Sequence, residues 1–534
     1  MHIQQPGHLR SVLIYHSNIK IMKHKILIIA SFATLIVASG CKKSFLEVPA
    51  QGQIDEEAAL KDPNAAQSLV TGVYNSLYQG GFGNNTVGFL YYVTVDEASD
   101  DADPGSVPGD NQVGEAVTKF TQTANLFAFN NLWQGYYTGI NQANKALDIL
   151  SKATFDASTI KRLQGEVRYI RGLYYFNMVR LFGGVPKIIT VPGVADFKAD
   201  YLVTRATKAE IYQVIIDDLQ FGVDNLPLKG DPNTQVGRAN KGAAESLLAK
   251  VYMYQGNWQK VYDLTSDVMG SGLYSLVQNN GNVLTDYNLI FREKAEGGVG
   301  GNNNSESIFE VQTGANIGEN AVSPLYSNGQ GPRGRGGWDD LGFGWNNPSL
   351  DLSNAYEHGD TRKAGTIITI QPTGGANAGT VLWDGFRIPT QDSVQNPRYN
   401  YKGYASATKE SPQISGSKDT KPKNIRIMRY AEVLLMNAEA ATQLGKDALT
   451  PLNMVRNRAG LGSLGAVTQN DVWKERRVEL AMEQDRFFDL VRQGRAAAIL
   501  GPSGFIAGKN EVFPIPQAQI DLSGGKLKQN PNYN

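Results

Sequence analysis

The chain has 534 residues, 41% of them hydrophobic, which is ample for a large core and for two to four domain-sized units. Lys plus Arg and Asp plus Glu both total 51, so no global basic field exists to attract nucleic acid. The single cysteine, Cys41, excludes an intrachain disulfide and a cysteine metal site.

The start reads as an export signal over residues 1–40. Lys23 and Lys25 precede an apolar run, Ile26 to Ala38, that is too short for a comfortable membrane span. Met22 is the expected true start, because MKHKILII makes a compact basic head. The run ends in Ala38-Ser39-Gly40-Cys41. Small residues before a cysteine resemble a bacterial lipobox, in which the cysteine is acylated and becomes the mature N-terminus. Ala38 stands where Leu is usual. An ordinary signal peptide with an incidental cysteine is the alternative. His2, His8, His16 and His24 lie in this leading segment, which leaves His358. A multi-histidine metal site is thereby excluded. A Ser-His-Asp triad would need His358, which has a polar Tyr-Glu-His-Gly-Asp context and no accompanying nucleophile motif.

Residues 41–61 read as a lipidated tether, and residues 62–269 as a helical part. Asp62-Pro63-Asn64 opens a helix to about Tyr78, with Ala66, Leu69, Val70, Val73 and Leu77 as its stripe. Phe89 to Val93 follows, and then an acidic stretch with six carboxylates between Asp96 and Asp110. Their spacing does not fit an EF-hand. They read as a solvated loop with helix-capping aspartates, a structural calcium being the weaker alternative. Asn130 to Leu150 is helical. In Ile160 to Pro186, Leu163, Val167, Ile170, Tyr174, Met178 and Leu181 recur at steps of three and four before Gly183-Gly184 and Pro186 end the helix. Thr207 and Glu210 form a capping box for the next helix. Lys241 to Met269 holds a helix pair jointed at Gly256, and Arg429 to Arg458 repeats the plan with Gly445 at its joint. Both have the texture of tetratricopeptide hairpins.

Residues 270–425 differ: GGVGGNNNS, GQGPRGRGGW and PTGGANAG interrupt short strand-like runs such as Ile308–Val311 and Thr366–Ile370. They read as a loop-rich insertion on the helical scaffold. Residues 426–534 return to helix. Asn470 to Arg495 reads as one helix whose Glu475, Arg476, Glu479, Glu483 and Arg486 can pair at three- and four-residue steps. Paired carboxylates there also raise glycosidase chemistry as a rival to ion pairing. The fold class is therefore mostly α, a tetratricopeptide-like helix-pair scaffold with an irregular subdomain containing short strands.

Five blocks in order carry a resemblance: RYIRGLYYFNMVRLFGGVP (Arg168–Pro186), GRANKGAAESLLAKVYMYQGNW (Gly237–Trp258), the stretch Arg429–Leu461, ERRVELAMEQDRFFDLVRQG (Glu475–Gly494), and FPIP (Phe513–Pro516) followed by QNPNY (Gln529–Tyr533). Together they resemble the SusD/RagB-type lipoproteins of Bacteroidetes outer membranes, with Gln484 departing from the usual Gly. The resemblance implies a lipid anchor at the outer face of the outer membrane. It also implies a SusC-like TonB-dependent transporter as partner, and capture of an oligosaccharide, or in some members a peptide or other nutrient, without chemistry on the ligand. A surface glycosidase on the same scaffold and a purely structural adaptor are the rival readings.

Aromatic faces suit sugar rings. The candidate ligand contacts are Trp338, Asp339, Trp345 and Trp383 in the insertion, with Tyr91, Tyr92 and Asp96 from the early loop. Glycine-flanked Trp338 is foremost among them. Trp133, Trp258 and Trp473 are assigned to packing. No cofactor and no catalytic residue is expected.

Overall fold

Helices dominate the computed structural model, which describes residues 56–534 apart from 79–80, 280, 282, 314–324, 337–339, 376–377, 407, 411–420, 422 and 534. The leader, Met22 and Cys41 lie outside the described residues. In chain order the first helices are α1 (Glu56–Lys61), α2 (Pro63–Asn75), α3 (Phe89–Asp96), α4 (Gln112–Thr118) and α5 (Phe127–Ser151). They continue with α6 (Ala157–Phe182), α7 (Lys208–Asn225), α8 (Lys241–Tyr254) and α9 (Trp258–Gly270).

Local chemistry sets their ends. The Asp62 carboxylate accepts from the Asn64 N–H at 2.9 Å and caps α2. Asp156 does the same for α6 through the Thr159 N–H at 2.9 Å, and Gly183, with φ 77°, closes that helix. The Thr207–Glu210 capping box of α7 forms as expected. Neighbours in sequence are neighbours in space: α5 packs on α6, α6 on α7, α7 on α8 and α8 on α9.

The stack then passes over the loop-rich stretch. After it come α10 (Tyr326–Gln330), α11 (Leu350–Ala355), α12 (Thr361–Thr366), α13 (Tyr430–Leu444), α14 (Leu449–Arg458), α15 (Gln469–Glu479), α16 (Arg486–Arg492), α17 (Ala496–Leu500) and α18 (Gln517–Leu522). Helix α13 packs on α9, so the helical array runs on across the interruption. The pairs α8–α9 and α13–α14 have the expected glycine joints, Gly256 and Gly445, with φ of 68° and 65°.

The strands are β1 (Ala102–Gly105), β2 (Ser307–Val311), β3 (Trp345–Pro348), β4 (Ile367–Thr369), β5 (Thr380–Val381), β6 (Arg387–Ile388), β7 (Arg398–Asn400) and β8 (Ile425–Arg429). Among the described residues they form four antiparallel pairs: β1–β3, β2–β8, β4–β7 and β5–β6. The β2–β8 pair clamps the two ends of the irregular stretch together. Inside it, Ile368, Ile370, Leu382, Ile388, Val394, Tyr399, Tyr401 and Tyr404 form a small core separate from the main one.

Two expectations are corrected. Residues 470–495 are not one helix. The chain breaks between α15 and α16, where Met482 and Gln484 take φ of 63° and 65°. Gln484 thus occupies backbone space that favours glycine. The ion pairs of Arg476, Glu483 and Arg486 also run between elements, not along one helix: Arg476 to Glu432 at 2.7 Å, Arg486 to Asp100 at 2.7 Å and Glu483 to Arg429 at 2.7 Å. The acidic stretch is not a solvated loop either. Asp96, Glu97 and Asp101 are all buried. No helix among the described residues is long and apolar enough to cross a membrane.

Candidate functional site

The buried acids build the floor beneath the site. Helix α3 shows no polar face because all of its residues are buried. Its last residue, Asp96, accepts from the Gln484 N–H at 2.9 Å and from Asn346 Nδ2 at 3.0 Å. Glu97 accepts from Asn111 Nδ2 at 2.9 Å and the Asn346 N–H at 3.0 Å. Asp100 takes both ends of the Arg486 guanidinium, at 2.7 and 2.8 Å, and Asp101 accepts from Arg477 at 2.7 Å. These bonds tie α3 to strand β3 and to the break at residues 480–485. Among the described residues, no three His, Cys, Asp or Glu side chains converge as a metal site.

Three expected ligand contacts therefore sit inside the protein. Tyr91, Tyr92 and Asp96 are 5%, 0% and 2% exposed. The Tyr91 hydroxyl accepts from Arg180 at 3.0 Å, and the Tyr92 hydroxyl donates to the Leu325 carbonyl at 3.2 Å. They support the surface and do not form it. Burial pushes the Tyr91 hydroxyl up to about 12.

Above this floor lies an aromatic shelf. Phe82 is 52% exposed and rests on Phe89, Trp345 and Phe343, with centroids 5.0, 6.1 and 6.4 Å away. Trp345, another expected contact, is only 6% exposed and lies under Phe82. Its indole N–H donates to Asp110 at 2.9 Å. Asp110 also accepts from the Ser106 hydroxyl at 2.7 Å and lies 3.5 Å from Arg333. Desolvation works against the Asp110 carboxylate, but these two hydrogen bonds and the Arg333 charge outweigh it and hold its pKa below the usual range.

Next to the shelf is a polar cleft of about 360 Å³ between β1, α4 and residues 396–398, with Glu115, Lys119, Asn347, Asn396 and Arg398 on its walls. The Ser106 N–H joins shelf and cleft, bonding the Gly344 carbonyl at 2.7 Å and Asn396 Oδ1 at 3.0 Å. An exposed ring beside amide, carboxylate and guanidinium groups can stack on an apolar sugar face and bond its hydroxyls.

Trp383 lies apart from the shelf, over the small core of the insertion. It is half-buried, with the Arg292 guanidinium 4.0 Å and the Lys409 ammonium 5.5 Å from its ring centroid. Trp338 and Asp339 lie outside the described residues. His358 is an exposed turn residue.

Phe82, Phe343, Arg333 and Asp110 were missed in the sequence. Phe82 stands in Gly80-Gly81-Phe82-Gly83 with no apolar periodicity to bury it. The criterion that singled out Trp338 would have found it.

The Phe82 loop is seated on α5. Asn131 Nδ2 donates to the Phe82 carbonyl at 2.7 Å, and Asn85 Nδ2 donates to the Gly81 carbonyl at 2.8 Å. Close approach is possible because residue 135 of α5 is glycine. A Cβ there would lie 1.9 Å from the Asn85 carbonyl oxygen, a backbone atom that cannot swing aside. Gly135→Ala is expected to cost about 1–3 kcal/mol of stability and to displace Phe82. Thermal unfolding and sugar titration of the variant check this, and wild-type values in both would refute the tight seating.

Two of the glutamates that raised glycosidase chemistry are engaged in buried ion pairs. Glu475 is 3.0 Å from Arg456 and 2.6 Å from Arg362, and Glu479 is 2.5 Å from Arg458. Both acids are buried.

Comparison with known proteins matches this architecture. The model described as "SusD family" matches residues 305–533, and the one described as "Starch-binding associating with outer membrane" matches residues 45–253. SusD-like protein P2 of Formosa agariphila is 26% identical over 96% of this chain and 100% of its own length. A SusD-like protein of Bacteroides ovatus is 28% identical over 88% of this chain and 82% of its own. Among solved structures, a laminarin binding SusD-like protein is similar with a TM-score of 0.69 and 28% identity, covering 88% of this chain and 99% of that one. With one family match in each half of the chain and relatives along almost its whole length, the chain belongs to the SusD family.

Proposed function

We propose that the protein is a cell-surface lipoprotein that binds a neutral oligosaccharide and delivers it to a SusC-like TonB-dependent outer-membrane transporter. The observation that carries the binding is Phe82, a half-exposed ring held on a rigid aromatic shelf beside a polar cleft. A preorganised ring costs little entropy to use, and the neighbouring Arg333 and Asp110 supply donors and acceptors for hydroxyls. The name of the laminarin binding relative supports a glycan as ligand. Acylation of Cys41 with more than one chain would give a stable anchor, and the family description supports association with the outer membrane. The unbroken helical stack gives the loops a rigid base from which to meet both sugar and transporter.

Titration calorimetry with laminarihexaose and maltohexaose tests the reading. Phe82→Ala is expected to weaken binding about tenfold, the equivalent of about 1.4 kcal/mol for one lost stacking ring. Unchanged affinity in that variant sinks the assignment of the shelf. Saturable binding with the sugar recovered intact fits a binding protein, and release of shortened sugar by the purified chain would favour a glycosidase.

A further inference from the structure

A second cleft lies between α5, residues 186–203 and the C-terminal α18. At about 680 Å³ it is larger than the cleft beside the shelf and falls within the range of ligand sites. Among the described residues its lining holds no charged side chain. On α5, Gln134, Tyr137, Thr138 and Asn141 follow one another at steps of three, one and three, so they share one face of the helix. Gln134 and Asn141 are exposed. No hydrogen bond within the described chain engages the side chains of Gln134, Thr138 or Asn141.

The rest of the cleft is fixed. The Tyr137 hydroxyl donates to the Pro186 carbonyl at 2.8 Å, and Gln519 Nε2 donates to Asn130 Oδ1 at 2.9 Å. Leu522, on the facing wall, is 77% exposed. The cleft thus sets a row of unused amide and hydroxyl groups opposite an apolar wall. Asn84, on its rim, is two residues from Phe82, so one loop borders both this cleft and the shelf.

We infer that this cleft is a second binding site for neutral oligosaccharide, sharing the 81–85 loop with the aromatic shelf. The inference rests on the function proposed above and adds a place that the shelf does not include. The occupant follows from the lining. An anionic glycan, a phosphorylated headgroup or an acidic peptide would find no cation among the described lining residues. An acyl chain would leave the row of amides and hydroxyls facing hydrocarbon. A neutral sugar offers hydroxyls to that row and its C–H face to the apolar wall. The rival occupant of this chemistry is a loop of a partner protein, and the experiment separates the two.

The full chain is titrated with neutral hexasaccharides from laminarin, starch, xylan and mannan, and with an oligogalacturonate as the anionic control. The informative background is Phe82→Ala, in which the shelf is weakened. In that background wild-type α5 is expected to retain measurable binding of one neutral glycan. Gln134→Ala combined with Asn141→Ala should lower it at least fivefold, and Gln134→Trp, which fills the cleft from an exposed position, should abolish it. Alanine at exposed helix positions favours the helix, so these variants are expected to fold. Residual binding that ignores both cleft changes overturns the inference and leaves the proposed function standing. So does loss of all binding on Phe82→Ala alone. So does unchanged sugar binding together with loss of co-purified transporter, which would mark the cleft as a protein contact. Tighter binding of the anionic control than of any neutral sugar also overturns it. Absence of all neutral glycan binding in the unmodified chain overturns the proposed function and this inference together.

Discussion

Glu479→Gln is expected to lower the free energy of unfolding by about 3–5 kcal/mol, because it strips the central anion from a buried charge network. Glu479 is fully buried. Its carboxylate lies 2.5 Å from Arg458, 3.0 Å from Arg429 and 3.1 Å from Arg362, and it accepts from the Tyr287 hydroxyl at 2.9 Å. Burial alone would push its pKa up, but the three guanidiniums outweigh burial and hold it well below the usual carboxylate range. Glutamine keeps the shape and one acceptor, yet leaves these guanidiniums facing one another without the charge between them. The sign with pH follows from the lowered pKa. The stability that Glu479 contributes is fully present above about pH 4.5 and is lost as pH falls toward the folded-state pKa. The variant should therefore be weaker than the wild type at pH 7 and should show less further loss in acid. Urea unfolding at pH 7 and in acid measures both. An unchanged midpoint at pH 7 would falsify the view that this network holds α13, α14 and α15 to the irregular stretch.

The helical scaffold was legible in the sequence, because apolar residues at steps of three and four, caps and glycine joints act locally. The α6 stripe, the Thr207 box and the joints at Gly256 and Gly445 all needed only their own neighbourhood. What could not be read is the fate of the charges. Glu475, Glu479 and Glu483 sit at helical spacing, and the cheapest partner in sequence is a turn away. Their actual partners, Arg362, Arg458 and Arg429, come from other elements. The same holds for the site. Tyr91 and Tyr92 look like exposed aromatics when read as a loop, and burial on all sides of α3 erases the periodicity that would have shown a helix. Trp345 opens a short strand whose four residues are all buried, so no alternation marks its face, and the ring that covers it, Phe82, lies far away in the chain. Only glycine isolation signals an exposed ring locally, and it points to Phe82 as well as to Trp338.

Asp96→Asn is expected to flatten the pH dependence of stability between pH 5 and pH 8 by on the order of 3 kcal/mol. Asp96 is 2% exposed, and no cation lies among its hydrogen-bond partners, the Gln484 N–H and Asn346 Nδ2. Burial pushes its pKa from 3.8 up to about 7, the two hydrogen bonds offsetting only part of that cost. In the unfolded chain the carboxyl ionises near 3.8. Between these values the folded state holds a proton that the unfolded state has released. Stability therefore falls as pH rises from about 4 to about 7 and levels off above that, the reverse of the Glu479 case. Asparagine removes the titrating group and fits the same space. Its Oδ1 can still accept from the Gln484 N–H, while the bond from Asn346 Nδ2 is lost, a cost that does not change with pH. Glu97 is also pushed well above its ordinary value, by burial first and in part by the Asp96 charge, so the variant eases Glu97 ionisation too and the difference reports Asp96 together with its effect on Glu97. Urea unfolding of the wild type and the variant at pH 5 and pH 8 gives the four free energies required. Parallel pH dependences would mean that Asp96 is ionised in the folded chain. The consequence reaches the site, because Asp96 holds Asn346, the residue after Trp345. Above about pH 7 that anchor carries an unpaired buried charge, and the shelf should become easier to open than at pH 5.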